Sequence, residues 1–327
     1  MKYGMILSTS KISDQITAAQ LAEANNFDSV WLTEFFHQHA LVRMAAVAGA
    51  TQRVKIGSAI AYAFMRSPIL AANGAMDVDE ISKGRTILGL GSGTKTMNEK
   101  WYSTAFDSPP APRMQEAVEL IRATFAAQHG GGLTFEGDHY NISIPQFFRP
   151  GAARESIPVY VAGVNKGMIR CAARVADGLV GHPVYTRRYI EEVVLPELDG
   201  SQCVLAPYII CAISEDADQA RNEARAQIAF YYSTPLYHSI LDVHGWREQG
   251  AVISAAFREG DFGAMTAAVS DEMVDAIAIA GTPAEARDRM QQWQGLTESP
   301  LLYSPSIGMS PERSIENHGL IAETFSS

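Results

Sequence analysis

The sequence predicts an α/β protein, a single (β/α)8 TIM barrel with a helical insertion near its C-terminal end. Short apolar runs alternate with amphipathic runs from the first residues onward, which is typical of parallel strands joined by helical crossovers. The chain has 327 residues, of which 47% are hydrophobic, and is long enough for eight such units around one core. No internal stretch has the composition of a linker, so we expect one domain over residues 1–327. A doubly wound sheet with a helical second domain is the alternative.

Eight runs are predicted to be strands because they are short, apolar and largely β-branched. In chain order, the predicted strands are 3–7, 29–32, 54–60, 86–90, 158–162, 178–181, 204–212 and 301–303. Apolar residues at helical spacing follow most of these strands. The main predicted helices are 13–25, 41–51, 68–83, 114–127, 166–175, 215–232, 282–293 and 311–325.

Two segments interrupt this alternation. Residues 128–156 start with a glycine run and contain a predicted small hairpin at 133–144. Residues 232–280 carry several short helical patterns broken by glycines, and we expect an all-helical insertion there. The aromatic residues at 230–232, together with Tyr237, are predicted to serve packing first and substrate contact second.

The composition limits the classes of partner. Acidic side chains outnumber basic ones by 36 to 26, and the net charge of −10 argues against nucleic acid or an anionic membrane as the main partner. No apolar run approaches the ~20 residues that a bilayer-spanning helix needs, and the N-terminal run does not have the pattern of a signal peptide. Three cysteines match no metal or disulfide pattern. We therefore expect a cytoplasmic protein without a metal site.

The third and fourth predicted strands end in small residues. Residues 57–59 are Gly-Ser-Ala, and the fourth strand leads into Gly89, Gly91 and Gly93. Such residues allow the backbone to approach a flat ligand closely. A tight strand-to-helix turn explains the same glycines, and their spacing does not match the dinucleotide-binding motif.

A second candidate ligand site follows the fifth predicted strand. Gly163, Val164, Asn165, Lys166 and Gly167 precede a helix, where backbone amides and the lysine charge are suited to a phosphate group. A capped helix with a surface lysine is the alternative interpretation.

Taken together in this order, several segments resemble the luciferase-like monooxygenase superfamily, especially its branch that uses the deazaflavin coenzyme F-420. The similarity extends through nearly all of the chain. It is carried by VWLTE at 30–34, IGSAIAYAFMRSP at 56–68, ISKGRTILGLGSG at 81–93, the run at 110–125, IPVYVAG at 157–163, ADGLV at 176–180 and GTPAEARDRM at 281–290.

The resemblance implies how a cofactor ring would be held. Members of the superfamily carry a non-prolyl cis peptide bond at the end of the third strand, where it supports one face of the ring. Alignment of the motifs places this bond between Ala59 and Ile60. The resemblance further implies that Gly91 and Gly93 bring the backbone near the ring and that Asn98 makes a polar contact.

The resemblance also implies acid–base residues, with one departure. Glu34 matches a carboxylate that touches the cofactor's polar rim in relatives. Many relatives have a histidine immediately after this carboxylate, whereas this chain has Phe35. His37, His39 and His182 are therefore the candidates for proton transfer, since imidazole titrates near neutrality.

The resemblance predicts an oxidoreductase that transfers hydride between coenzyme F-420 and a small organic substrate. Residues 163–167 would hold the cofactor phosphate. One alternative is an FMN-dependent two-component monooxygenase, and another is a non-catalytic partner subunit, which the absence of a histidine at position 35 favours. By analogy with the superfamily, we expect a homodimer that pairs through its early helices.

Overall fold

The computed structural model describes residues 1–326, and the chain forms two compact units. Unit A comprises Met1–Asp28, Gly181–Asp199 and residues 205–326, and unit B comprises Ser29–Val180 and Gly200–Val204. Each unit contains parallel strands and the helices that follow them.

The strands and helices have the following bounds. The strands are β1 Gly4–Leu7, β2 Ser29–Leu32, β3 Lys55–Ser58, β4 Ala61–Tyr62, β5 Thr86–Gly91, β6 Leu133–Glu136, β7 Asn141–Ile144, β8 Val159–Ala162, β9 Gly178–Val180, β10 Val204–Ala206, β11 Tyr208–Ile213, β12 Ile279–Gly281 and β13 Leu301–Tyr303. The helices are α1 Ile12–Ala24, α2 Ala40–Ala50, α3 Pro68–Ser82, α4 Pro110–Ala126, α5 Lys166–Val175, α6 Arg187–Tyr189, α7 Leu195–Leu198, α8 Ala217–Tyr232, α9 His238–His244, α10 Arg247–Glu259, α11 Phe262–Ala267, α12 Asp271–Ile277, α13 Pro283–Met290 and α14 Pro311–Thr324.

Unit B has parallel strands in the order β2, β3, β5, β8 and β9, and β4 also pairs with β5. All residues of β2 and β5 are buried, as expected for parallel strands that are covered on both faces. The helices α2, α3, α4 and α5 pack on one another in sequence. This order places the exits of β2, β3, β5 and β8 at one edge of the sheet, where the candidate site lies.

Close packing of β2 against β3 requires a glycine. A Cβ atom on Gly57 would lie 2.2 Å from the ring of Trp31, which is itself 2% exposed. The large ring therefore fills the space beside the small residue. The small residue at this strand end is therefore required for packing, in addition to any role in binding.

Unit A has parallel strands in the order β1, β13, β11 and β12. The single strand predicted at 204–212 is wrong in detail, because Pro207 separates β10 from β11. Proline has no amide hydrogen to donate to a neighbouring strand. The strand β12 was not predicted, since its short alanine-containing run resembles the end of the preceding helix.

The two interrupting segments have defined structure. Strands β6 and β7 form an antiparallel hairpin in which Leu133 lies opposite Ile144. Helices α9 to α12 occupy most of the stretch between α8 and β12. Among residues 1–326, each helix is too short or too polar to cross a lipid bilayer.

Candidate functional site

In unit B, the exits of β3 and β5 are joined by a side chain. The Ser58 hydroxyl donates to the carbonyl of Gly89 at 2.8 Å and accepts from the Gly89 amide at 2.9 Å. Ser58 is fully buried, and a Cβ on Gly89 would lie 1.9 Å from the Ser58 carbonyl oxygen. The two backbones therefore meet at a distance that only glycine at position 89 permits.

The peptide bond between Ala59 and Ile60 is cis, and it is the bond to which the resemblance assigned that state. The Ala59 amide donates to the carbonyl of Leu32 at 2.8 Å, which ties this bond to the exit of β2. The Ile60 side chain lies over Gly91, where a Cβ would come within 2.4 Å of its Cδ1 atom. Ile60 and Gly91 thus form one surface across the exits of β3 and β5.

Glu34 is the polar centre of this region. Its side chain is 4% exposed, and its Oε2 accepts from the Tyr62 amide at 2.7 Å. Its Oε1 pairs with the Arg66 guanidinium and accepts from the Ala40 amide at 3.4 Å. The carboxylate therefore fixes the segment that follows the cis peptide bond.

These contacts define what Glu34 can do. Both carboxylate oxygens already accept hydrogen bonds from the protein, and one of them faces a cation. A carboxylate held in this way orients the groups that it contacts. We interpret Glu34 as a positioning residue, and its contact with a cofactor stays a prediction.

Two polar groups beside Glu34 have no protein partner among residues 1–326. They are the Nη1 atom of Arg66 and the hydroxyl of Tyr102, and both atoms are buried. Burial raises the pKa of Tyr102, the Glu34 charge raises it further and the Arg66 charge opposes this, so Tyr102 lies within electrostatic reach of both. A buried polar atom without a partner calls for a ligand or a water molecule.

Arg66 and Tyr102 are not among the site residues predicted from the sequence. A weak signal was present, because Arg66 lies in the matched segment IGSAIAYAFMRSP just before the start of α3. Tyr102 carried no signal of its own. Its ring packs against Tyr62 with 5.8 Å between centroids, which is a tertiary contact.

Asn98 shapes the loop that follows β5. Its side-chain amide donates to the carbonyls of Ser92 and Thr94, both at 2.9 Å, and it is fully buried. Gly93 between them has φ of 66°, a conformation that favours glycine. Asn98 therefore holds the glycine loop in place, while its direct contact with a cofactor stays a prediction.

The start of α5 is open to solvent. Asn165, Lys166 and Gly167 are exposed, and a Cβ on Gly167 would meet no atom within 4 Å. The side chain of Asn165 at the N-cap makes no capping hydrogen bond to the helix, whose first turn contains no acidic residue. This end of the helix, preceded by Gly163 and Val164, can accommodate an anionic group.

The candidate histidines of unit B lie in different surroundings. The Nδ1 atom of His39 is 3.9 Å from the Glu34 carboxylate, and its side chain is 52% exposed. His37 is exposed and packs edge-on against Phe35 and Phe36, with centroid distances of 5.8 and 5.0 Å. The structure therefore brings His39 to Glu34 and places His37 in an aromatic cluster.

Phe35 is part of that cluster. Its ring contacts Phe36 and Trp101 with centroid distances of 4.6 and 5.4 Å. Two backbone hydrogen bonds between Phe35 and Gln38 close the turn that presents these rings. Phe35 stands where many relatives have a histidine. Its ring therefore contacts the loop after β5, where an imidazole would otherwise lie.

His182 lies in unit A, where its ring contacts Tyr231 and Tyr237. Burial lowers the pKa of His182 to about 3, although part of the side chain keeps accessible surface. The expectation that this imidazole titrates near neutrality is therefore wrong, because burial disfavours its charged form. Within residues 1–326, no three His, Cys, Asp or Glu side chains are grouped so that they could hold a metal ion.

A variant of His182 tests this electrostatic environment. The unfolded chain, with a histidine pKa near 6.5, binds more protons than the folded protein between that value and about 3, so the free energy of unfolding decreases as the pH falls through this range. We expect the free energy of unfolding of His182→Gln to depend less steeply on pH than that of wild type between about pH 5 and 6.5. This range lies above the one in which most carboxylates titrate. Urea unfolding at several pH values measures this dependence. The exposed His129→Gln is the control, and equal slopes in wild type and His182→Gln would contradict the prediction.

Most of the chain matches one known protein family. A family model described as luciferase-like monooxygenase matches residues 2–298. The chain belongs to the luciferase-like monooxygenase family. The resemblance inferred from the sequence motifs is thereby confirmed.

Relatives of this luciferase-like protein include proteins with and without a named activity. An uncharacterized protein of Mycobacterium tuberculosis is 37% identical over 279 residues, which cover 81% of this chain and 82% of the relative. The 5,10-methylenetetrahydromethanopterin reductase of Archaeoglobus fulgidus is 28% identical over 315 residues, covering 91% of each chain.

Solved structures with the same fold include enzymes of two cofactor types. The coenzyme F-420-dependent tetrahydromethanopterin reductase of Methanopyrus kandleri has a TM-score of 0.83 at 24% identity, covering 99% of this chain and 97% of its own. An F-420-dependent secondary alcohol dehydrogenase has a TM-score of 0.76 at 19% identity, with coverages of 99% and 98%. The oxygenating constituent of 3,6-diketocamphane monooxygenase from Pseudomonas putida, in complex with FMN, has a TM-score of 0.70 at 15% identity, with coverages of 100% and 98%. These matches confirm the predicted fold class, an α/β fold of the TIM-barrel type.

Proposed function

We propose that this luciferase-like protein is an oxidoreductase that transfers hydride between coenzyme F-420 and a small organic substrate. The observation that carries the proposal is the group of Glu34, Arg66 and Tyr102, in which two buried polar atoms have no hydrogen-bond partner within residues 1–326. The names of the reductase and alcohol dehydrogenase among its relatives and structural neighbours support F-420 over other cofactors.

The residues present fit a flat ring with polar edges. Glycines at 89 and 91 leave the strand exits without side chains of their own, and Ile60 adds an apolar surface. Arg66 and Tyr102 offer hydrogen-bond donors to ring oxygens, while Glu34 holds Arg66 in place. When bound, the deazaflavin would supply or accept the hydride. The chain's own residues would bind the ring and orient it toward the substrate.

The proton that accompanies hydride transfer requires a group near the ring. His39 is the best candidate in unit B, because it lies beside the Glu34 carboxylate and half of its side chain is accessible. We propose His39 as the proton donor or acceptor, and Glu34 as the residue that positions it.

The phosphate end would be held at the start of α5. The net charge of −10 provides no general attraction for an anionic cofactor, so the attraction has to be local. Lys166 and Arg170 are the exposed cations on the first turns of this helix. They supplement the positive end of the helix dipole.

Removal of the Lys166 charge tests this assignment. We expect Lys166→Ala to weaken F-420 binding about threefold to tenfold at low salt, and the difference to shrink in 1 M salt, because exposed charges are screened. Fluorescence titration of F-420 with apoprotein measures the affinity. Lys11→Ala, which removes an exposed lysine from unit A, is the control. Equal affinities for wild type and Lys166→Ala at low salt would contradict the assignment.

The identity of the cofactor that the protein binds distinguishes the proposed function from its alternatives. Apoprotein is titrated separately with F-420 and with FMN, and binding is followed by cofactor fluorescence. We expect F-420 to bind with a dissociation constant at least tenfold below that of FMN. Tight binding of FMN without binding of F-420 would instead support a two-component monooxygenase. Absence of binding of either cofactor would support a non-catalytic partner subunit.

A further inference from the structure

Unit B exposes a group of ring side chains that the proposed function does not use. We name it the aromatic cluster, and it consists of Phe35, Phe36, His37 and Trp101. Phe35 and Phe36 meet the indole of Trp101 edge-on, with 5.4 and 5.8 Å between ring centroids. The Phe35 and Phe36 rings are themselves 4.6 Å apart. The cluster therefore joins the segment after β2 to the loop after β5.

The aromatic cluster is exposed to solvent although its rings contact one another. Phe36 is 66% exposed and Trp101 is 48% exposed. The three other tryptophans of the chain are at most 4% exposed, and they are Trp31, Trp246 and Trp293. Large aromatic side chains usually bury most of their surface, so a contiguous exposed aromatic surface is typical of a site that binds a ligand or a partner.

Hydrogen bonds hold both sides of the aromatic cluster in place. Phe35 and Gln38 exchange backbone hydrogen bonds of 3.1 and 3.0 Å, which close the turn after β2. On the other side, the Tyr102 amide donates to the Met97 carbonyl at 3.1 Å and closes the helical turn that contains Trp101. The exposed rings are therefore presented by a fixed backbone, and a ligand that binds them loses less free energy to ordering of the protein.

The aromatic cluster continues directly from the candidate site. Phe35 follows Glu34, whose carboxylate pairs with Arg66. Trp101 precedes Tyr102, whose buried hydroxyl has no hydrogen-bond partner within residues 1–326. Consecutive Cα atoms are about 3.8 Å apart, so each segment leads from a polar group of the proposed ring site to the cluster within one residue. The cluster and the polar groups belong to the same unit.

The size of the exposed aromatic surface limits which partner fits it. A fully buried aromatic side chain removes roughly 150–250 Å² from solvent, so the exposed parts of Phe36 and Trp101 together amount to roughly 250 Å². A stable protein interface needs roughly 800 Å² from each partner. The aromatic cluster is therefore far too small to hold a second protein by itself, and its size matches that of one planar ring group.

We propose that the aromatic cluster is the surface that binds the substrate, and that the substrate carries a planar aromatic ring held against Phe36 and Trp101. The inference rests on the proposed function for the word substrate, while the ligand class follows from the cluster alone. Contact between aromatic rings adds a factor of roughly two to ten in affinity beyond the area that they bury. A saturated ring of similar size gains from buried area only. The cluster should therefore discriminate between an aromatic ring and its saturated analogue.

Benzyl alcohol and cyclohexylmethanol are matched probes of the aromatic cluster, because they share a six-membered ring and a hydroxymethyl group. Binding of each to the full-length apoprotein is measured by ligand-observed NMR titration. We expect benzyl alcohol to bind about threefold more tightly or better, although cyclohexylmethanol is the more hydrophobic of the two. Trp101→Leu and Phe36→Leu should each weaken binding of benzyl alcohol about threefold and reduce this preference. Phe148→Leu, which replaces a 71% exposed phenylalanine elsewhere in unit B, should change neither affinity.

Thermal unfolding of each variant establishes that it is folded before affinities are compared. Both cluster substitutions replace exposed side chains, so we expect the variants to fold. Equal or tighter binding of cyclohexylmethanol to the wild-type protein would overturn the ligand class. Unchanged binding of benzyl alcohol in both cluster variants would overturn the location.

The same variants test whether a second copy of the chain covers the aromatic cluster instead. Their oligomeric state is measured by sedimentation velocity. An oligomeric state equal to that of wild type supports the proposal. If Trp101→Leu and Phe36→Leu weakened self-association while Phe148→Leu did not, the rings would lie in a subunit interface and the proposal would be wrong.

Titration of benzyl alcohol into F-420-saturated protein tests the substrate role. Retained binding supports this role, whereas displacement of benzyl alcohol by F-420 would assign the aromatic cluster to the cofactor and overturn it. Failure of F-420 to bind would refute the proposed function, and the substrate role with it. In that case a preference for benzyl alcohol that depends on Trp101 and Phe36 would still support the ligand class.

Discussion

Replacement of Glu34 by glutamine is expected to weaken F-420 binding by at least 100-fold and to lower the free energy of unfolding by about 3 kcal/mol. The carboxylate is 4% exposed and pairs with Arg66, whose side chain is 14% exposed. Removal of one member of such a pair leaves a largely buried cation without a counterion, and this costs more than the loss of an exposed ion pair. Urea unfolding and F-420 fluorescence titration measure the two effects.

The loss of binding has a separate geometric cause. Glu34 accepts from the Tyr62 amide at 2.7 Å, which fixes the chain just after the cis peptide bond. The glutamine amide group would present a donor toward either this amide or the Arg66 guanidinium, so one of the two contacts becomes repulsive. The segment that carries Arg66 would then shift away from the cofactor ring.

Two further variants separate these causes. Glu99→Gln breaks the more exposed ion pair with Lys95 in the same unit, whose atoms are 3.6 Å apart, and should change stability by less than about 1 kcal/mol. Glu34→Gln combined with Arg66→Met removes the unpaired charge, and should recover part of the stability without recovering F-420 affinity. Wild-type affinity in the Glu34→Gln protein would show that Glu34 does not position the site.

The sequence was informative where local chemistry decides the structure. The strand exits at 57–60 and 89–93 were predictable because short apolar runs followed by glycines specify where a buried strand ends. The start of α5 at Lys166 was predictable for a similar reason. In each case the signal lies within a few residues of the feature.

The polar contacts of the site could not be found in this way. Glu34 and Arg66 are 32 positions apart, and the Tyr102 hydroxyl, which has no partner in the described part of the chain, is recognised only when its neighbours are in place. His37 and His39 illustrate the same limit. Their order in the chain gave no reason to prefer either, whereas the turn closed by Phe35 and Gln38 brings only His39 to the carboxylate.

The buried environment of His182 could not be predicted from the sequence, for a different reason. A histidine after a strand is a reasonable candidate for proton transfer on sequence grounds. Burial lowers its pKa to about 3, and the two tyrosine rings that contact it come from residues 231 and 237, about fifty positions later in the chain. Aromatic residues at that distance carry no sequence signal that links them to one imidazole.

Gly89→Ala is expected to have the second largest effect, a loss of about 3 kcal/mol or more in the free energy of unfolding. The added Cβ would lie 1.9 Å from the Ser58 carbonyl oxygen, which is backbone and cannot move aside as a flexible side chain could. The exits of β3 and β5 would have to separate, and both hydrogen bonds between Ser58 and Gly89 would be lost. Because Ile60 and Gly91 continue the same surface, F-420 affinity should fall as well.

Gly49→Ala provides the matched control for this substitution. Gly49 lies in α2 with no atom within 4 Å of an added Cβ, and alanine in a helix is favoured over glycine by about 1 kcal/mol. The same chemical change should therefore stabilise the protein at position 49 and destabilise it at position 89. Ser58→Ala isolates the hydrogen bonds from the steric clash and should cost about 1–3 kcal/mol. If Gly89→Ala were no more destabilising than Ser58→Ala, the close approach of the two strand exits would not limit stability, and the surface proposed for the cofactor ring would tolerate a side chain.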